Sequence, residues 1–350
     1  MYPALAVHNA LILEKPDVKT LWVGGEGGIE AGLIERTGIP FKTIPAAGLH
    51  GVGLKQLPRN ILQMIGGMSV SLRILNNFKP DVLFFTGGYV AFPMAVAGWH
   101  KPSLLYVPDI EPAMALKAIA RFADRITVTA EASRKFFSRR SRIVVTGYPT
   151  RPDLASWTRD TARAKLGLSS NLPTLLVFGG SKGAHSINVA LLEHLPALLA
   201  KVQIVHISGE LDWEMVSAKR KNLTTTQADR YHAFPYLHEE MGAALAAADL
   251  AVSRSGASAL GEFPLFGLPA ILIPYPYAWR YQEVNGDYLA QHGAAVMLED
   301  GRLTAELYTT ISTLLDNPGK LEAMRKAMRE LAQPQAAQSI AAQLVELAGA

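Results

Sequence analysis

The stretch 175–188, LLVFGGSKGAHSIN, indicates the fold of the second half of the chain. Its apolar run ends at Gly179 and Gly180, and Gly183 stands where a helical pattern begins. A short apolar strand that passes through glycines into a helix is typical of parallel α/β sheets. Such a turn can hold a phosphate, because N–H groups at the start of a helix point at the anion and the helix dipole attracts it. Close packing of the helix on its sheet would explain the same glycines without any ligand.

The spacing in this turn differs from that of two common nucleotide motifs. It matches neither the dinucleotide fingerprint nor the P-loop, so the sequence disfavours NAD and ATP chemistry. Ser181 adds a hydroxyl that can donate to a phosphate oxygen. The turn therefore remains a candidate phosphate site of another class.

Strands of the same kind recur on both sides of this stretch. Apolar runs lie at 20–25, 81–88, 103–109, 125–131 and 142–147, and after a polar stretch at 148–171 they resume at 174–181, 203–210, 249–256 and 270–276. Helical patterns separate the runs, which predicts two doubly wound parallel-sheet α/β domains whose ligands bind at the carboxyl ends of the strands. We place the domains at 1–150 and 151–330, and we expect a final helical segment, 331–350, that can return to the first domain.

Composition indicates the class of protein and its compartment. The 350 residues are 49% hydrophobic and 18% charged, which is a globular balance and excludes a disordered chain. The sequence has no cysteine, which excludes disulfides and thiolate metal sites and favours a reducing compartment. It shows neither an export signal nor a run of the roughly 20 apolar residues that span a bilayer. We therefore expect a cytoplasmic protein.

The net charge of +4 hides an asymmetry between the two halves. Residues 1–150 carry 17 Lys or Arg against 10 Asp or Glu, hence +7, and the remaining residues carry 17 against 20, hence −3. A basic half favours a polyanionic partner, such as a phosphate ester, a nucleic acid or the anionic face of a membrane. Unevenly scattered surface charge is an equally good explanation. The basic half shows no recognised nucleic-acid motif, so nucleic acid is not expected as a partner.

A second group of candidate ligands follows the strand that ends at Ser253. Glu262 falls on the first turns of the next helix, where a carboxylate can accept both hydroxyls of a ribose. An acid favoured near a helix N-terminus by the dipole is the simpler alternative. After the next strand, Arg280, Gln282 and Asn285 lie close together, and their side chains suit sugar hydroxyls and phosphates. A solvated loop would show the same residues.

The order GGSxGAxxxN, SGAxxxxE and QxxN resembles the C-terminal domain of the MurG family, and the resemblance covers essentially the whole chain. It implies a GT-B fold, in which two Rossmann-like domains face a cleft. It also implies an inverting hexosyltransferase that moves N-acetylglucosamine from UDP-GlcNAc to lipid-linked N-acetylmuramyl-pentapeptide. That reaction belongs to peptidoglycan biosynthesis, and hence to cell-wall growth, cell shape and cell division. The resemblance implies no cofactor and no required metal.

The resemblance also assigns roles to individual residues. It implies UDP-sugar contacts for Arg151, Gly180, Ser181, Gly183, Leu237, Glu262, Gln282 and Asn285. Among these, Glu262 would hold the ribose, Leu237 the uracil and Arg151 the diphosphate. Gln282 and Asn285 would hold the sugar hydroxyls. In the first domain, the residues that would face the acceptor pyrophosphate are Thr86, Gly87, Gly88 and Tyr89.

Two departures from the family pattern concern catalysis. Family members begin with a strand and a GGTGGH loop before a PALA segment, whereas this chain starts at Met1, immediately ahead of that segment. The first strand, the first glycine loop and the histidine proposed as the base are therefore absent from it. The family's H-E-Q-N stretch stands here as residues 106–109, followed by Glu111 two residues later. Asp109 and Glu111 are candidate substitute bases or acceptor contacts, with helix capping as the alternative for Asp109.

Residues 58–78 show an amphipathic pattern. One helical face carries Ile61, Met64, Ile65, Met68, Leu72 and Leu75, and the basic residues nearby are Lys55, Arg59, Arg73 and Lys79. A helix of this kind can lie in the membrane interface, where a lipid-linked acceptor resides. A core helix that packs on the sheet is an equal alternative. With the polyprenyl-pyrophosphate-linked acceptor of the family, the pattern predicts a peripheral protein on the inner face of the cell membrane.

Three other functions fit the same motifs. A UDP-sugar 2-epimerase shares the twin-domain fold and would turn over its substrate without an acceptor. Another glycolipid transferase would differ in its acceptor, and a shortened homologue would bind nucleotide without turnover. The histidines His8, His185 and His206 have no ligand spacing among them, so we expect structural roles and no metal site.

Overall fold

The computed structural model describes residues 1–28, 31–47, 57–139, 141–180, 182–277 and 279–349. The strands are β1 Trp22–Gly25, β2 Phe41–Ile44, β3 Leu83–Phe85, β4 Ser103–Val107, β5 Arg125–Val128, β6 Ile143–Val145, β7 Thr174–Phe178, β8 Gln203–Ile207, β9 Tyr231–Phe234, β10 Leu250–Ser253, β11 Ala270–Leu272 and β12 Ala295–Met297. The helices are α1 Tyr2–Glu14, α2 Ala31–Glu35, α3 Leu57–Phe78, α4 Ala91–Ala97, α5 Met114–Ile119, α6 Arg159–Lys165, α7 His185–Leu199, α8 Trp213–Lys221, α9 Thr225–Ala228, α10 Met241–Ala247, α11 Ala259–Phe266, α12 Tyr281–Gln291, α13 Leu303–Leu315, α14 Pro318–Glu330 and α15 Ala336–Ala348. Short 3-10 helices lie at Glu131–Phe136, Pro152–Ser156, Glu210–Asp212 and Asp300–Arg302.

The chain divides into two units. One comprises Met1–Pro149 together with Gln335–Ala350, and the other comprises Thr150–Pro334. The last helix, α15, therefore belongs to the first unit. Ile340 and Leu344 of α15 are buried in a cluster with residues of α1 and β4, and such burial stabilises by about 1.5–3 kcal/mol per large apolar side chain.

The first unit contains two separate parallel sheets in its described part. In one sheet β1 pairs with β2, and the other has the order β3-β4-β5-β6. A cavity of about 610 Å³ is lined by residues of both sheets, among them Trp22 and Val23 of β1 and Phe84 and Phe85 of β3. A parallel α/β sheet is usually continuous. In the described residues, the two sheets of this unit are not paired with each other.

The second unit has one parallel sheet of six strands in the order β12-β11-β10-β7-β8-β9. If β7 to β12 are numbered 1 to 6 and the sheet is read from β9, the order is 3-2-1-4-5-6. This is the strand order of dinucleotide-binding folds. The order reverses between β7 and β10, whose last paired residues are Phe178 and Ser253. Ligands of such sheets bind outside the carboxyl ends of the strands at this switch point. The fold therefore places the two stretches singled out in the sequence, 175–188 and 253–262, side by side.

The central strands are buried on both faces. All five residues of β7 and all five of β8 are buried. Helices cover both faces of such a sheet, so alternation of polar and apolar residues is lost. On α7, Leu191 and Leu195 are buried in the cluster that contains Leu175 and Val177 of β7. This packing fixes the start of α7 next to the end of β7.

Within the ranges that the structure describes, no helix is both long enough and apolar enough to cross a bilayer. The amphipathic stretch of the sequence forms α3, a helix of 22 residues. It buries Met64 and Leu75, whereas Ile61, Ile65 and Leu72 are exposed. The face predicted from the sequence is thus divided between the interior of the first unit and solvent. Lys55 lies outside the described residues.

Candidate nucleotide-sugar site

The glycine turn after β7 has a backbone that requires glycine. Gly180 and Gly183 have φ values of +91° and +78°, which side chains of L-residues rarely adopt. A Cβ on Gly179 would collide with the backbone of Ala184, and one on Gly183 would collide with the carbonyl oxygen of Ser208. The turn leads directly into α7, which begins at His185. Ser181, predicted to contact phosphate, lies outside the described residues.

Glu262 lies on α11, the helix that follows the switch-point strand β10, and is half-buried. Burial raises the pKa of its carboxyl to about 7, and Arg151 and a hydrogen bond with Ser258 oppose this rise. A carboxylate accepting two ribose hydroxyls would gain from this partial loss of solvent, because hydrogen bonds strengthen where the dielectric is low. The position of Glu262 on α11 and the pKa of its carboxyl are therefore compatible with the binding of sugar hydroxyls.

Arg151 joins two of the predicted nucleotide segments. Its Nη2 donates to the carbonyl oxygen of His238 at 3.3 Å, and its Nε lies 3.8 Å from Asp153 Oδ1. Leu237, the predicted uracil contact, is the neighbour of His238 and is half-buried. Because Arg151 also lowers the pKa of Glu262, the structure brings Arg151, Leu237 and Glu262 into one region although they lie on three separate segments.

Gln282 and Asn285 lie on α12, and both side chains bind backbone groups of neighbouring loops. Gln282 Oε1 accepts from the N–H of Tyr275 at 2.9 Å. Asn285 is fully buried, and its Nδ2 donates to the carbonyl oxygen of Ser255 at 3.3 Å. These amides therefore hold the loops after β11 and β10, and their contact with a sugar stays a prediction. Arg280 is exposed at the start of α12.

Sequence reasoning missed Arg254, which directly follows β10. No sequence motif singles it out, because its partners are far away in the sequence. Its guanidinium binds Ser186 on α7 and Asp300 after β12, residues 68 and 46 positions away. The contacts of this arginine with two loops of the site depend on the tertiary structure, so the sequence alone does not indicate them.

The predicted acceptor residues of the first unit follow β3. Gly87 and Gly88 have φ values of +117° and +85°, so this turn also depends on glycine. Thr86 is half-buried, and Tyr89 is 59% exposed just before α4. An exposed tyrosine beside a glycine turn can bind a ligand, but its partner stays a prediction.

The two candidate bases follow β4 and differ in environment. Glu111 is 5% exposed, and its Oε1 lies 3.3 Å from Nζ of Lys117. Asp109 is half-buried and contributes to the raised pKa of the buried Tyr106. The capping alternative for Asp109 is wrong, because α5 begins only at Met114 and its N-cap residue is Ala113.

A chain of polar side chains lies beneath the start of α7; it is buried at Tyr231, His206 and Asn188 and ends at the exposed His185. Tyr231 OH lies 2.7 Å from His206 Nδ1, and His206 Nε2 lies 2.9 Å from Asn188 Oδ1. Asn188 Nδ2 donates to Asp212 Oδ2 at 2.7 Å, and Asp212 Oδ1 lies 2.8 Å from His185 Nδ1. Burial lowers the pKa of His206 to about 3, so its ring is neutral. In the described part of the chain no group of acidic or histidine side chains could hold a metal ion.

Comparisons with known proteins cover both units. Residues 1–128 match the glycosyltransferase family 28 N-terminal domain, and residues 174–344 match the glycosyltransferase family 28 C-terminal domain. A UDP-N-acetylglucosamine--N-acetylmuramyl-(pentapeptide) pyrophosphoryl-undecaprenol N-acetylglucosamine transferase from Roseiflexus sp. (strain RS-1) is 39% identical, over 92% of this chain and 82% of the relative. The enzyme of the same name from Desulforudis audaxviator is 36% identical, over 100% of this chain and 95% of the relative.

Solved structures show the same fold. The crystal structure of Acinetobacter baumannii MurG matches with a TM-score of 0.77 at 25% identity, over 99% of this chain and 95% of that one. A UDP-GlcNAc 2-epimerase from Neisseria meningitidis bound to UDP-GlcNAc matches with a TM-score of 0.65 at 13% identity, over 98% and 97%, which shows likeness of fold alone. The predicted GT-B class, with two parallel-sheet α/β domains, and the predicted transferase class are confirmed. The chain belongs to glycosyltransferase family 28 and, within it, to the MurG family of UDP-N-acetylglucosamine-dependent N-acetylglucosamine transferases.

Proposed function

We propose that this protein transfers N-acetylglucosamine from UDP-GlcNAc to polyprenyl-pyrophosphate-linked N-acetylmuramyl-pentapeptide with inversion at the anomeric carbon. One observation carries the proposal: the strand order of the second unit places the glycine turn after β7 beside the β10 loop and Glu262. An anion-binding turn next to a hydroxyl-binding carboxylate suits a nucleoside diphosphate. Membership of the family supports the sugar and the acceptor.

In the reaction, the acceptor hydroxyl oxygen attacks the anomeric carbon while the bond from that carbon to the diphosphate oxygen breaks. UDP leaves with the electron pair, and a base takes the hydroxyl proton. We assign stabilisation of the departing charge to the N–H groups of the glycine turn, which includes Gly180 and Gly183, and to Arg151. Glu262 would hold the ribose, Leu237 would contact the uracil, and the amides on α12 would orient the sugar.

For the base, the environment favours Asp109 over Glu111. The ion pair of Glu111 with Lys117 and its near-complete burial suit a structural role. Asp109 is half-buried after β4 and is better exposed to a substrate hydroxyl. We expect Asp109→Asn to lose turnover and to keep its UDP binding, whereas full turnover in that variant would exclude Asp109 as the base.

We assign the binding of the acceptor pyrophosphate to the turn that runs from Thr86 to Tyr89.

We also propose that α3 docks the protein on the inner face of the cell membrane, where its acceptor is anchored. Ile61, Leu62 and Ile65 are 43%, 69% and 52% exposed, although each is a large apolar side chain. Arg59 and Arg73 are exposed on the same helix. An apolar stripe with basic neighbours suits an anionic bilayer surface.

The function is tested with the full chain, UDP-GlcNAc and the lipid-linked acceptor. We expect UDP release only when the acceptor is present, in a one-to-one ratio with the glycosylated lipid. Conversion of UDP-GlcNAc without an acceptor would instead support a 2-epimerase. Tight UDP binding without release under either condition would support a homologue that has lost turnover.

A further inference from the structure

The guanidinium of Arg254 connects several segments at the carboxyl edge of the second sheet. Nη1 donates to Asp300 Oδ1 at 2.5 Å and to the carbonyl oxygens of Ile273 and Pro274 at 3.3 Å. Nη2 donates to Ser186 Oγ at 2.9 Å, and this hydroxyl donates to Asp300 Oδ1 at 2.7 Å. One arginine thus ties the loop after β10 to the first turn of α7, to the end of β11 and to the turn after β12.

The same network reaches the candidate sugar ligands. The ring of Tyr275 lies over the Arg254 guanidinium, 5.3 Å from ring centroid to Cζ, and the Tyr275 N–H is held by Gln282. On the other side, the carbonyl of Ser255, the residue after Arg254, is held by Asn285. Arg254 therefore sits between the two loops that the α12 amides support.

We propose that Arg254 is a positioning residue of the donor site. It fixes the glycine turn and the loops after β10 and β11 in the arrangement that binds a nucleoside diphosphate, and it does not itself bind the phosphates. This inference rests on the proposed function.

Burial and charge both support a positioning role. The Arg254 side chain is 9% exposed, and the contacts of its Nη1 and Nη2 are made to protein groups. Asp300 neutralises its charge, which weakens its attraction for a diphosphate. Charge-assisted hydrogen bonds in such an environment are strong and directional, so they hold loops in one geometry.

Asp300 can act on UDP only through its charge, or it can anchor Arg254 and Ser186. These two roles predict opposite changes of UDP affinity when Asp300 is replaced. A carboxylate near an anion site repels the ligand, so Asp300→Asn should tighten UDP binding if only charge matters. If Asp300 anchors Arg254 and Ser186, the same variant should loosen the loops and weaken UDP binding. We expect UDP affinity to fall roughly 10-fold or more, because small misplacements of binding groups are costly.

A matched control lies at the opposite edge of the same sheet. Arg163 is also 9% exposed, and its Nη2 lies 3.0 Å from Asp249 Oδ2. Asp249 precedes β10 and accepts from the N–H of Thr174, the first residue of β7. The Arg163 pair thus resembles the Arg254 pair in the burial of its arginine, but it lies at the amino ends of the strands, and Asp249 also pairs with Arg159 and Arg325.

The experiment measures UDP affinity by calorimetry and thermal stability for the full chain and for Asp300→Asn, Arg254→Lys and Asp249→Asn. We expect weaker UDP binding in the first two variants, and loss of stability without loss of affinity in Asp249→Asn. Arg254→Lys keeps the charge but cannot bridge Ser186 and the backbone, so it should bind UDP more weakly than the unaltered chain.

Tighter UDP binding in Asp300→Asn, or equal loss of affinity in Asp249→Asn, would overturn the inference. Unchanged affinity in Arg254→Lys would also overturn it, because a point charge would then be sufficient. Absence of UDP binding in the unaltered chain would overturn the proposed function and this inference together. If the unaltered chain binds UDP normally, a contrary result in the variants counts against the role of Arg254 and leaves the proposed function in place.

Discussion

Arg151 lowers the pKa of Glu262, although the two residues lie on different segments of the second unit and burial drives that pKa in the opposite direction, to about 7. The carboxyl is therefore poised to change its charge near neutral pH. Only its ionised form accepts two hydroxyl hydrogen bonds without offering a donor of its own. The charge state of this half-buried acid should then control nucleotide affinity.

We predict that UDP affinity rises as pH increases through about 7, because Glu262 loses its proton in this range. Glu262→Gln should lower affinity at pH 8 by roughly 10- to 100-fold, since each hydrogen bond to a charged group contributes about 1.5–3 kcal/mol. Calorimetry with UDP between pH 6 and pH 8.5 measures both effects. The variant should show a weaker pH dependence than the unaltered chain.

Glu193→Gln is a matched control for this prediction, because Glu193 is exposed on α7 of the same unit. It should leave the affinity and its pH dependence unchanged. The nucleotide assignment of Glu262 would have to be abandoned if Glu262→Gln bound UDP as tightly as the control.

Two glycines of the turn after β7 should differ in their tolerance of alanine. Gly180 and Gly183 both have positive φ, but a Cβ on Gly180 meets open space, whereas one on Gly183 collides with the Ser208 carbonyl. Gly180→Ala should cost about 1–2 kcal/mol of unfolding free energy from φ strain. Gly183→Ala should cost more, about 3 kcal/mol or above, because the backbone must also move.

Denaturant unfolding measures this difference, and UDP titration shows whether the turn still binds phosphate. Gly293→Ala is the control outside the turn, since Gly293 has φ +73° and open space around a Cβ. Equal costs in Gly180→Ala and Gly183→Ala would show that the approach of Ser208 to the turn is looser than the structure indicates.

His206 should make the second unit less stable in acid. Burial lowers its pKa to about 3, from an ordinary 6.5 in the unfolded chain. Between these values the unfolded chain binds more protons than the native one, so stability rises with pH and is lost as pH falls below about 6.5. The variant His206→Gln, which has no titrating ring, should lose this contribution. Unfolding free energies at pH 7 and pH 5 for both chains measure it.

The comparison of the two chains isolates His206 from other titrating groups. Glu262 acts in the opposite direction, because its raised pKa makes the native state bind more protons between about 4.5 and 7. It is present in both chains, and its contribution cancels in the difference. An identical pH dependence in the variant would show that His206 is not buried as a neutral ring.

The fold could be predicted largely from local patterns, whereas the site could be predicted only in part. Residues 175–188 carry strand, turn and helix signals in one stretch, and β7 and α7 follow them closely. The 148–171 stretch gave no helix signal because α6 has only seven residues and its Thr158–Thr161 capping box lacks the usual acid. Helix capping by Asp109 was wrong because the chain continues without a helix up to Met114.

Long-range partners explain what the sequence did not reveal about the site. Gln282 and Asn285 were expected to face a sugar, and their contacts with Tyr275 N–H and the Ser255 carbonyl depend on how three loops meet. Arg254 was overlooked because no spacing rule connects it with Ser186 and Asp300. Strand order, which no local pattern specifies, creates both sets of contacts.

The exposed apolar stripe of α3 should govern membrane binding. Ile65 is 52% exposed on this helix, and a charge there would have to enter the bilayer interface. Ile65→Glu should reduce binding to vesicles of anionic phospholipid by about 10-fold, since it removes about 1–2 kcal/mol of apolar burial and adds repulsion. Vesicle flotation of the full chain measures the bound fraction.

Asn77→Glu is the matched control, because Asn77 is exposed on α3 but is turned by about 120° from Ile65 at 100° per residue. It adds the same charge away from the stripe and should reduce binding much less. Both variants should keep UDP affinity, since the candidate nucleotide residues all lie in the second unit. Equal loss of vesicle binding in the two variants would show that α3 contributes to binding only through its net charge. Normal vesicle binding in Ile65→Glu would show that another part of the protein contacts the membrane.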